Sequence, residues 1–175
     1  MQMPRIPSVP RHAWSDHPHW PRQTLLLGSH ANFRRISERL VEHAARGEQL
    51  HWVASLYPRW IAAMRSHEGY EEHKLYPYLE RRWGMSVASA EQGHRRLHEC
   101  DDTVRQALAT LRRDGVSITL HAALQEHDRV LGEHLDHEEE LVIPGLLELT
   151  PHEFEEYCAL RLSELIRRLD EAERP

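Results

Sequence analysis

The sequence is poor in the residues that build disulfide-linked or fibrous proteins. Its 175 residues include only two cysteines, Cys100 and Cys158, together with eight glycines, ten prolines and two phenylalanines. Two cysteines do not provide the disulfide framework of a small secreted domain, so we expect a reducing compartment and a cytoplasmic location. Glycine and proline are too infrequent for a fibrous or loop-rich chain.

Long apolar runs and an excess of positive charge are also missing. No stretch approaches the ~20 apolar residues of a membrane span, and the N-terminal sequence MQMPRIPSVP lacks the apolar core of a secretory signal. The formal net charge is −6, from 22 Lys and Arg against 28 Asp and Glu, which disfavours a broad nucleic-acid-binding surface. We therefore expect neither a membrane nor a nucleic acid as a partner.

Histidine, by contrast, is abundant, with 15 residues in the chain. A solvated surface accounts for the many acidic residues but gives no reason for so many imidazoles. The apolar fraction of 40% and the charged fraction of 29% are typical of a globular chain, and the length suits one sizeable domain. The histidines are therefore the main clue to function.

Residues 1–22 differ in composition from the rest of the chain. They contain five of the ten prolines and show neither helical nor strand periodicity. We predict that they form an extended arm, held on the domain by Trp14 and Trp20.

From residue 23 onward, apolar residues recur at helical spacing, and no stretch keeps the two-residue period of a strand. Gly47, Gly84 and the Asp114-Gly115 pair are typical helix ends. Four long helices are predicted, over about 23–46, 49 or 58 to 82, 87 or 90 to 113, and 118–149.

A fifth helix is predicted at the C-terminus. Thr150 suits the N-cap, Pro151 the first helical position, and Glu153 the partner residue of a capping box. This helix is expected to continue to about residue 172.

These elements predict an all-α protein. Four long amphipathic helices joined by short connections favour an antiparallel up-down four-helix bundle, here over residues 23–149. The extended arm of residues 1–22 and an additional C-terminal helix within 150–175 are expected to pack on this bundle.

The apolar stripe of each long helix is interrupted near its middle by histidine, or by histidine with glutamate. His67 and Glu71 are four residues apart in the second helix, so they lie one turn apart on the same face. The fourth helix repeats this pattern with His134 and Glu138, and in both helices a second glutamate follows directly. Because a buried charge is costly unless it is paired or binds a metal, the repeat indicates metal ligands.

The other two helices supply histidines at matching heights. The third helix contributes His94 and His98, again four residues apart, and the first contributes His30. His30 lies 17 residues before Gly47, and His67 lies 20 residues after it. In an antiparallel bundle, equal distances from a turn mean equal height, so these residues are expected to meet at one level.

Seven residues form the candidate metal-binding set: His30, His67, Glu71, His94, His98, His134 and Glu138. Imidazoles and carboxylates without a thiolate suit iron, manganese or zinc. Two octahedral ions that share both carboxylates and a bridging oxygen would keep one coordination position open for a small molecule.

The sequence resembles the hemerythrin-like, or HHE cation-binding, domain family. The resemblance covers about residues 24–149 and is carried by HEGYEEHKLYP, HLDHEEELVIP, SHANF and HRRLH. It implies a non-heme di-iron centre with an oxo or hydroxo bridge that binds dioxygen reversibly at one iron, with zinc or manganese as substitutes. All seven candidate residues match the family's ligand positions. By the same analogy, His94, His98 and His134 share one iron, and His30 and His67 hold the iron with the open position.

The chain departs from the oxygen-carrying members of the family at the last carboxylate. In those proteins an aspartate follows its histidine by five residues, whereas that offset holds Glu139 here and Glu138 lies at four. We prefer Glu138, as in many bacterial relatives. Glu68 is a further alternative, because it neighbours His67 on the inward face and can replace or assist Glu71. His127 is interpreted as a core residue or an indirect contact of the site.

Three functions are compatible with these residues. The first is a di-iron protein that binds dioxygen, nitric oxide or peroxide for sensing, carriage or storage. The second is a di-iron enzyme that dismutes peroxide or reduces nitric oxide. The third is an iron-handling protein, although such proteins often carry a cysteine motif in an N-terminal segment and residues 1–22 contain no cysteine.

Overall fold

The computed structural model describes residues 6–24, 26–114 and 118–172 of the chain. Within these ranges all regular secondary structure is helical, as predicted, and no strand is present. A π-helix over Glu71–Leu75 joins the second α-helix to the third, and a short 3-10 helix covers Arg11–Ala13. The α-helices are α1 (Leu26–Arg46), α2 (Leu50–Tyr70), α3 (Tyr76–Trp83), α4 (Ala88–Asp114), α5 (Ile118–Leu147), α6 (Pro151–Ala159) and α7 (Leu162–Ala172).

Two helices end at glycines in the left-handed region. Gly47 follows α1 with φ 65°, and Gly84 follows α3 with φ 66°. The Gly84 N–H donates to the carbonyl oxygen of Glu80 at 2.8 Å. Glycine adopts this conformation without a Cβ clash, so both predicted helix ends are confirmed. The predicted stop at Gly115 lies outside the described residues.

Three prolines lie within or beside the long helices. Of the two predicted starts of the second helix, the structure has the earlier one, because α2 begins at Leu50 and continues through Pro58. Pro77 lies in the first turn of α3, directly after the π-helix. Proline has no N–H to donate and its ring crowds the preceding turn, and the wider π-helical turn accommodates both effects. Pro144, the equivalent residue in the fourth long helix, lies inside α5 near its end.

The long helices pack around two apolar clusters. Helix α5 lies against α4 and α1, and α2 contacts both α1 and α4. One cluster contains Phe33, Met64, Leu97, Leu131 and Leu135; the other contains Leu26, Leu75, Ala90 and Val142. Along each long helix the central histidine or glutamate residues fall between a member of one cluster and a member of the other. The polar residues therefore form a layer between two apolar cores.

The N-terminal segment packs on the bundle but is not an extended arm. The Trp14 side chain is only 4% exposed within the second apolar cluster, and Trp20 packs against that cluster. Successive backbone hydrogen bonds, such as His17 N–H to the Trp14 oxygen at 3.0 Å, fold residues 11–23 into a 3-10 helix and a run of turns. The predicted contact through the two tryptophans is confirmed, and the predicted extended conformation is wrong for these residues.

The prediction of a single long C-terminal helix is also wrong. The capping box is present, because the Glu153 N–H donates to Thr150 Oγ1 at 3.2 Å and the Thr150 N–H donates to Glu153 Oε2 at 2.8 Å. The helix then breaks at Leu160, which has an extended conformation (φ −98°, ψ 158°). The break turns α7 toward α3, so that Leu165 is buried in the second apolar cluster.

Among the described residues, none of the helices combines the length and the apolar character that crossing a lipid bilayer demands.

His127 is a histidine of the core rather than of the polar layer. It is 1% exposed, its ring lies against Tyr57 and Trp60, and neither ring nitrogen has a hydrogen-bond partner. Burial therefore lowers the pKa of His127 from 6.5 to about 4. Below pH 6.5 the unfolded chain takes up a proton at this residue and the folded chain does not, so His127 makes the fold less stable as the pH falls.

We expect the His127→Leu variant to lose less stability in acid than the unmodified protein. Between pH 7 and pH 4 the free energy of unfolding of this variant should fall by about 3 kcal/mol less than that of the unmodified protein, because the variant lacks the histidine whose pKa is lowered by folding. Urea unfolding of the metal-free protein at both pH values measures this difference. His152→Leu is the matched control, since the His152 side chain is 80% exposed. Equal pH dependence in the two variants would contradict the assignment.

Candidate metal centre

Six of the seven predicted ligands come together in two groups of three. The first group is His30, His67 and Glu71, and the second is His94, His134 and Glu138; within each group, ligand atoms of the three residues all lie within 4.8 Å of one another. The four-residue spacing in α2 and α5 places each His and Glu on one face, as the sequence predicted. Each group takes its third residue, a histidine, from α1 or α4.

The two glutamates lie between the groups. Glu71 Oε1 is 2.8 Å from His67 Nε2 and Glu71 Oε2 is 3.3 Å from His94 Nε2. Glu138 Oε2 is 3.5 Å from His134 Nε2 and 3.7 Å from His30 Nε2. Each carboxylate therefore contacts histidines of both groups, which is the arrangement of a ligand that bridges two ions.

The spacing of the histidine nitrogens and glutamate oxygens suits metal coordination better than hydrogen bonding among these side chains. His30 Nε2 and His67 Nε2 point together at 3.1 Å. Glu71 and Glu138 are 1% and 0% exposed. Glu71 Oε1 lies 2.8 Å from His67 Nε2, but neither it nor Glu138 Oε2 has a partner in hydrogen-bonding geometry. Metal–ligand bonds of about 2.1 Å at right angles place neighbouring donors about 3 Å apart. Separations near this value between unpartnered buried donors indicate a cation site.

The second glutamate of each repeat contacts the outer nitrogen of a histidine. His94 Nδ1 donates to Glu72 Oε1 at 2.7 Å, and His30 Nδ1 donates to Glu139 Oε1 at 3.0 Å. A carboxylate on the outer nitrogen fixes the ring of a metal-binding histidine and its tautomer. Glu139, which the sequence left as an alternative to Glu138, therefore faces the outer side of His30.

Charged groups of the arm and of α1 hold Glu139 in place. Arg11 Nη1 lies 3.0 Å from Glu139 Oε2, and Arg34 Nη1 donates to Glu139 Oε1 at 3.1 Å. Both guanidinium groups lower the pKa of Glu139, together with His30 and against the effect of burial. The N-terminal segment thus supports the position of His30 through this carboxylate.

The carboxylates also control the protonation of two histidines when no metal is bound. Burial lowers the pKa of His30, but Glu139 and Glu71 outweigh it and raise the pKa to about 9. Burial likewise opposes protonation of His94, and hydrogen bonds to Glu71 and Glu72 raise its pKa to about 9. A bound cation takes the place of these protons, because metal ligands must be neutral imidazoles.

The two bridging carboxylates differ in their surroundings. Burial raises the pKa of Glu138 to about 8, and the nearby charge of Glu71 adds to this effect. Burial also disfavours ionisation of Glu71, but His30 and His67 outweigh it and lower its pKa. The Tyr76 hydroxyl donates to Glu138 Oε1 at 2.5 Å and so orients this carboxylate.

His98 does not join the other six residues. Its side chain is 43% exposed, and its Nε2 donates to Glu68 Oε2 at 2.8 Å. Ala90, Leu97 and Asp101 define the buried stripe of α4, and His98 lies on the flank of that stripe. His73 and His137 are also exposed and belong to neither group of three residues.

A small apolar void adjoins the two groups. Its volume is about 10 Å³, which is room for one molecule of the size of water. Glu68 contributes a carboxyl group to the wall, and burial raises its pKa to about 7. The lining consists of Phe33, Met64, Leu97, Leu131 and Leu135 together with His67, Glu68, Glu71 and His134.

Gly93, which the sequence pattern did not single out, lies directly against His134. A Cβ atom at this position would be 2.1 Å from His134 Nδ1 and 2.9 Å from its Cγ. The Nε2 atom of His134 lies 3.5 Å from Glu138 Oε2, so a shift of the ring away from position 93 would disturb this contact. A residue without a side chain is therefore required for this histidine to reach the centre.

We expect Gly93→Ala to reduce metal binding, because the added methyl group displaces the His134 ring. Gly132→Ala is the matched control, since no atom lies within 4 Å of its added Cβ; it should keep the metal and stabilise α5 by up to ~1 kcal/mol. Metal content after dialysis, measured by elemental analysis with circular dichroism as a folding check, compares the variants. Equal metal content in Gly93→Ala and the unmodified protein would refute this role of Gly93.

Comparison with known proteins agrees with the geometry. The sequence model of the hemerythrin HHE cation-binding domain matches residues 23–146, a region that contains both groups of three residues. No curated protein matches the chain, and no solved structure matches it either. The family match covers well over half of the chain, and the chain belongs to the hemerythrin HHE cation-binding domain family.

Proposed function

We propose that this protein is a non-heme di-iron protein that binds dioxygen, nitric oxide or peroxide within its helical bundle. The observation that carries the proposal is the pair of His-His-Glu groups joined by two buried carboxylates. In this assignment His30 and His67 bind one ion, His94 and His134 bind the other, and Glu71 and Glu138 are shared. Two iron ions in this position would supply an electron-rich centre to which a small oxidant binds.

Iron is the metal that the donor set favours. Imidazole and carboxylate donors without thiolate suit iron, manganese and zinc. Closed zinc sites are four-coordinate, whereas six side chains around two ions with shared carboxylates provide for higher coordination numbers. Carboxylate-bridged iron pairs are also a recurring use of helical bundles.

The architecture that holds the site is part of the proposal. We infer that the four long helices alternate in direction, because residues 47–49 join α1 to α2 and residues 84–87 join α3 to α4. The division into an arm of residues 1–22, a bundle of 23–149 and a C-terminal part of 150–175 is likewise proposed. It places all six ligands in one unit.

The side chains around the ions have separate tasks. Glu72 and Glu139 fix the rings of His94 and His30, and Tyr76 orients Glu138. The apolar walls of the small void exclude bulk water and limit its occupant to a molecule of a few atoms. His98, the seventh predicted ligand, acts in our proposal through its contact with Glu68.

With two histidines, both shared carboxylates and a bridging oxygen, each octahedral ion would keep one open position. We assign small-molecule binding to the open position on the ion of His30 and His67. His67 is 16% exposed, whereas the side chains of the other five ligands are at most 4% exposed. The route for an incoming molecule therefore leads to the His67 side of the centre.

An enzymatic role is the second candidate function. It rests on Glu68, whose carboxyl group lines the void and whose raised pKa of about 7 allows it to hold a proton near neutral pH. Reduction of nitric oxide consumes protons together with electrons from an added reductant, whereas dismutation of peroxide moves protons between two peroxide molecules. A carboxylic acid beside the bound molecule can supply or accept such a proton. Steady consumption of either molecule by the iron-loaded protein would distinguish this role from simple binding.

Three consecutive glutamates provide a direct test of the ligand assignment. Glu138→Gln should lose most of its iron, because a shared carboxylate is removed from both ions. Glu139→Gln should keep two irons per chain but bind them roughly 10–100-fold more weakly, as expected for a residue that orients a ligand. Glu140→Gln is the control, since the Glu140 side chain is 65% exposed. Iron content and competition with a chelator measure all three variants.

A different ranking would overturn the assignment. If Glu139→Gln lost the iron while Glu138→Gln kept it, the carboxylate five residues after His134 would be the ligand. Equal iron affinity in all three variants would remove the α5 glutamates from the site.

We further expect one small-molecule ligand per iron pair. Azide added to the oxidised protein should produce a charge-transfer absorption band that saturates at one azide per two irons, since the open position of the His30–His67 ion is the one on the partly exposed side of the centre. Optical titration at known iron content measures the ratio. Two azides per pair, or none with both irons in place, would contradict the assignment of small-molecule binding to the His30–His67 ion alone.

A further inference from the structure

A second and much larger cavity lies on the outer side of His67. Its volume is about 210 Å³, it opens to solvent, and it is lined by Gln23 and by residues of α1, the end of α2, the π-helix, α5 and α6. His67 forms part of its wall. The cavity therefore lies next to the exposed side of His67. It is distinct from the void of about 10 Å³, which lies on the inner side of the candidate metal centre.

The walls of this cavity are apolar and carry no formal charge. Leu26, Leu75, Leu146 and Phe154 are its aliphatic and phenyl side chains, and none of the described residues that line it is Asp, Glu, Lys or Arg. Transfer of an ion into such surroundings is costly without a partner of opposite charge. The chemistry of the wall thus selects uncharged molecules.

The size of the cavity selects a ring rather than a diatomic molecule. An apolar cavity of about 150 Å³ in a protein core binds benzene. The present cavity is larger by an amount that accommodates a substituent on such a ring. The inner void has room for only one water-sized molecule, so the two spaces differ in the size of molecule that they suit.

Polar groups are present at a few places in the wall. The hydroxyl groups of Tyr70 and Tyr157 are hydrogen-bonded to each other, and both tyrosines line the cavity. One proton lies between the two oxygens, so the pair retains a second O–H that is free to donate. Ser29 adds a further hydroxyl from α1. These groups suit a ligand with one hydroxyl or carbonyl group.

We propose that this cavity binds an uncharged aromatic molecule of about the size of phenol, beside the His67 edge of the metal centre. The inference extends the proposed function by a second, organic ligand adjacent to the same centre. Binding itself needs no metal, because no contact in the cavity passes through one. Its success or failure can therefore be separated from that of the di-iron assignment.

Phenol is the probe for the test. It is titrated into the full-length protein in its metal-free and iron-loaded forms. Equilibrium dialysis measures the bound phenol in both forms, and shifts of the protein amide resonances report binding to the metal-free form. We expect one saturable site in each form. Benzoate, which has the same ring and a negative charge, should bind at least tenfold more weakly, and it also tests whether the nearby Lys74 adds an attraction for anions.

Two variants of α1 locate the site. Ser29→Phe places a ring in the cavity and should weaken phenol binding at least tenfold. Asn32→Phe places the same ring one turn away on an exposed position and should leave the affinity unchanged. If Ser29→Phe does not fold, Cys158→Phe fills the same cavity from an exposed residue of α6 and is expected to give the same tenfold loss.

The outcomes separate the two proposals. Absence of saturable phenol binding, equal affinity for benzoate, or unchanged affinity in the cavity-filled variant would overturn the aromatic site. Iron content is measured on the same samples. A protein with two irons and no phenol site would retain the proposed function alone, and a protein with a phenol site and no iron would retain this inference alone.

Discussion

The structure depends on the burial of two carboxylates in the middle of an apolar bundle. Glu71 and Glu138 are almost completely inaccessible to solvent, and each has one oxygen without a hydrogen bond. Two such charges side by side are strongly unfavourable unless cations lie between them. The surrounding imidazoles compensate for part of this cost, and the shared pair of metal ions that we propose would compensate for the rest. The apolar clusters above and below pack the helices around this layer.

One sequence unit is used twice to build the whole site. In α2 and in α5, the histidine and the first glutamate point to the centre, and the second glutamate reaches the outer nitrogen of a histidine on another helix. In the proposed centre, each unit would therefore supply both a shared ligand and a group that orients a ligand. The arrangement is approximately symmetric, but exposure of His67 and the cavity beside it make the two halves unequal.

Helical periodicity was sufficient to predict the helices and most of the centre, because residues three or four positions apart share a face wherever the helix packs. It could not predict what depends on the rotation of one helix against another. His98 lies on the flank of α4 for this reason. Glu72 contacts His94 and Gly93 contacts His134, each on another helix, and the residue pattern of a single helix does not predict such contacts. The break at Leu160 likewise follows from the packing of α7 on α3, for which the local sequence contains no strong signal.

The central claim is that two ions share Glu71 and Glu138, and X-ray absorption at the iron edge of the iron-loaded protein tests it most directly. Carboxylate-bridged ions in two-metal sites lie about 3.5–4 Å apart. We predict an iron–iron scattering contribution within about 4 Å, with nitrogen and oxygen neighbours and no sulfur. Loaded protein that shows iron without a second iron at this distance would contradict the account.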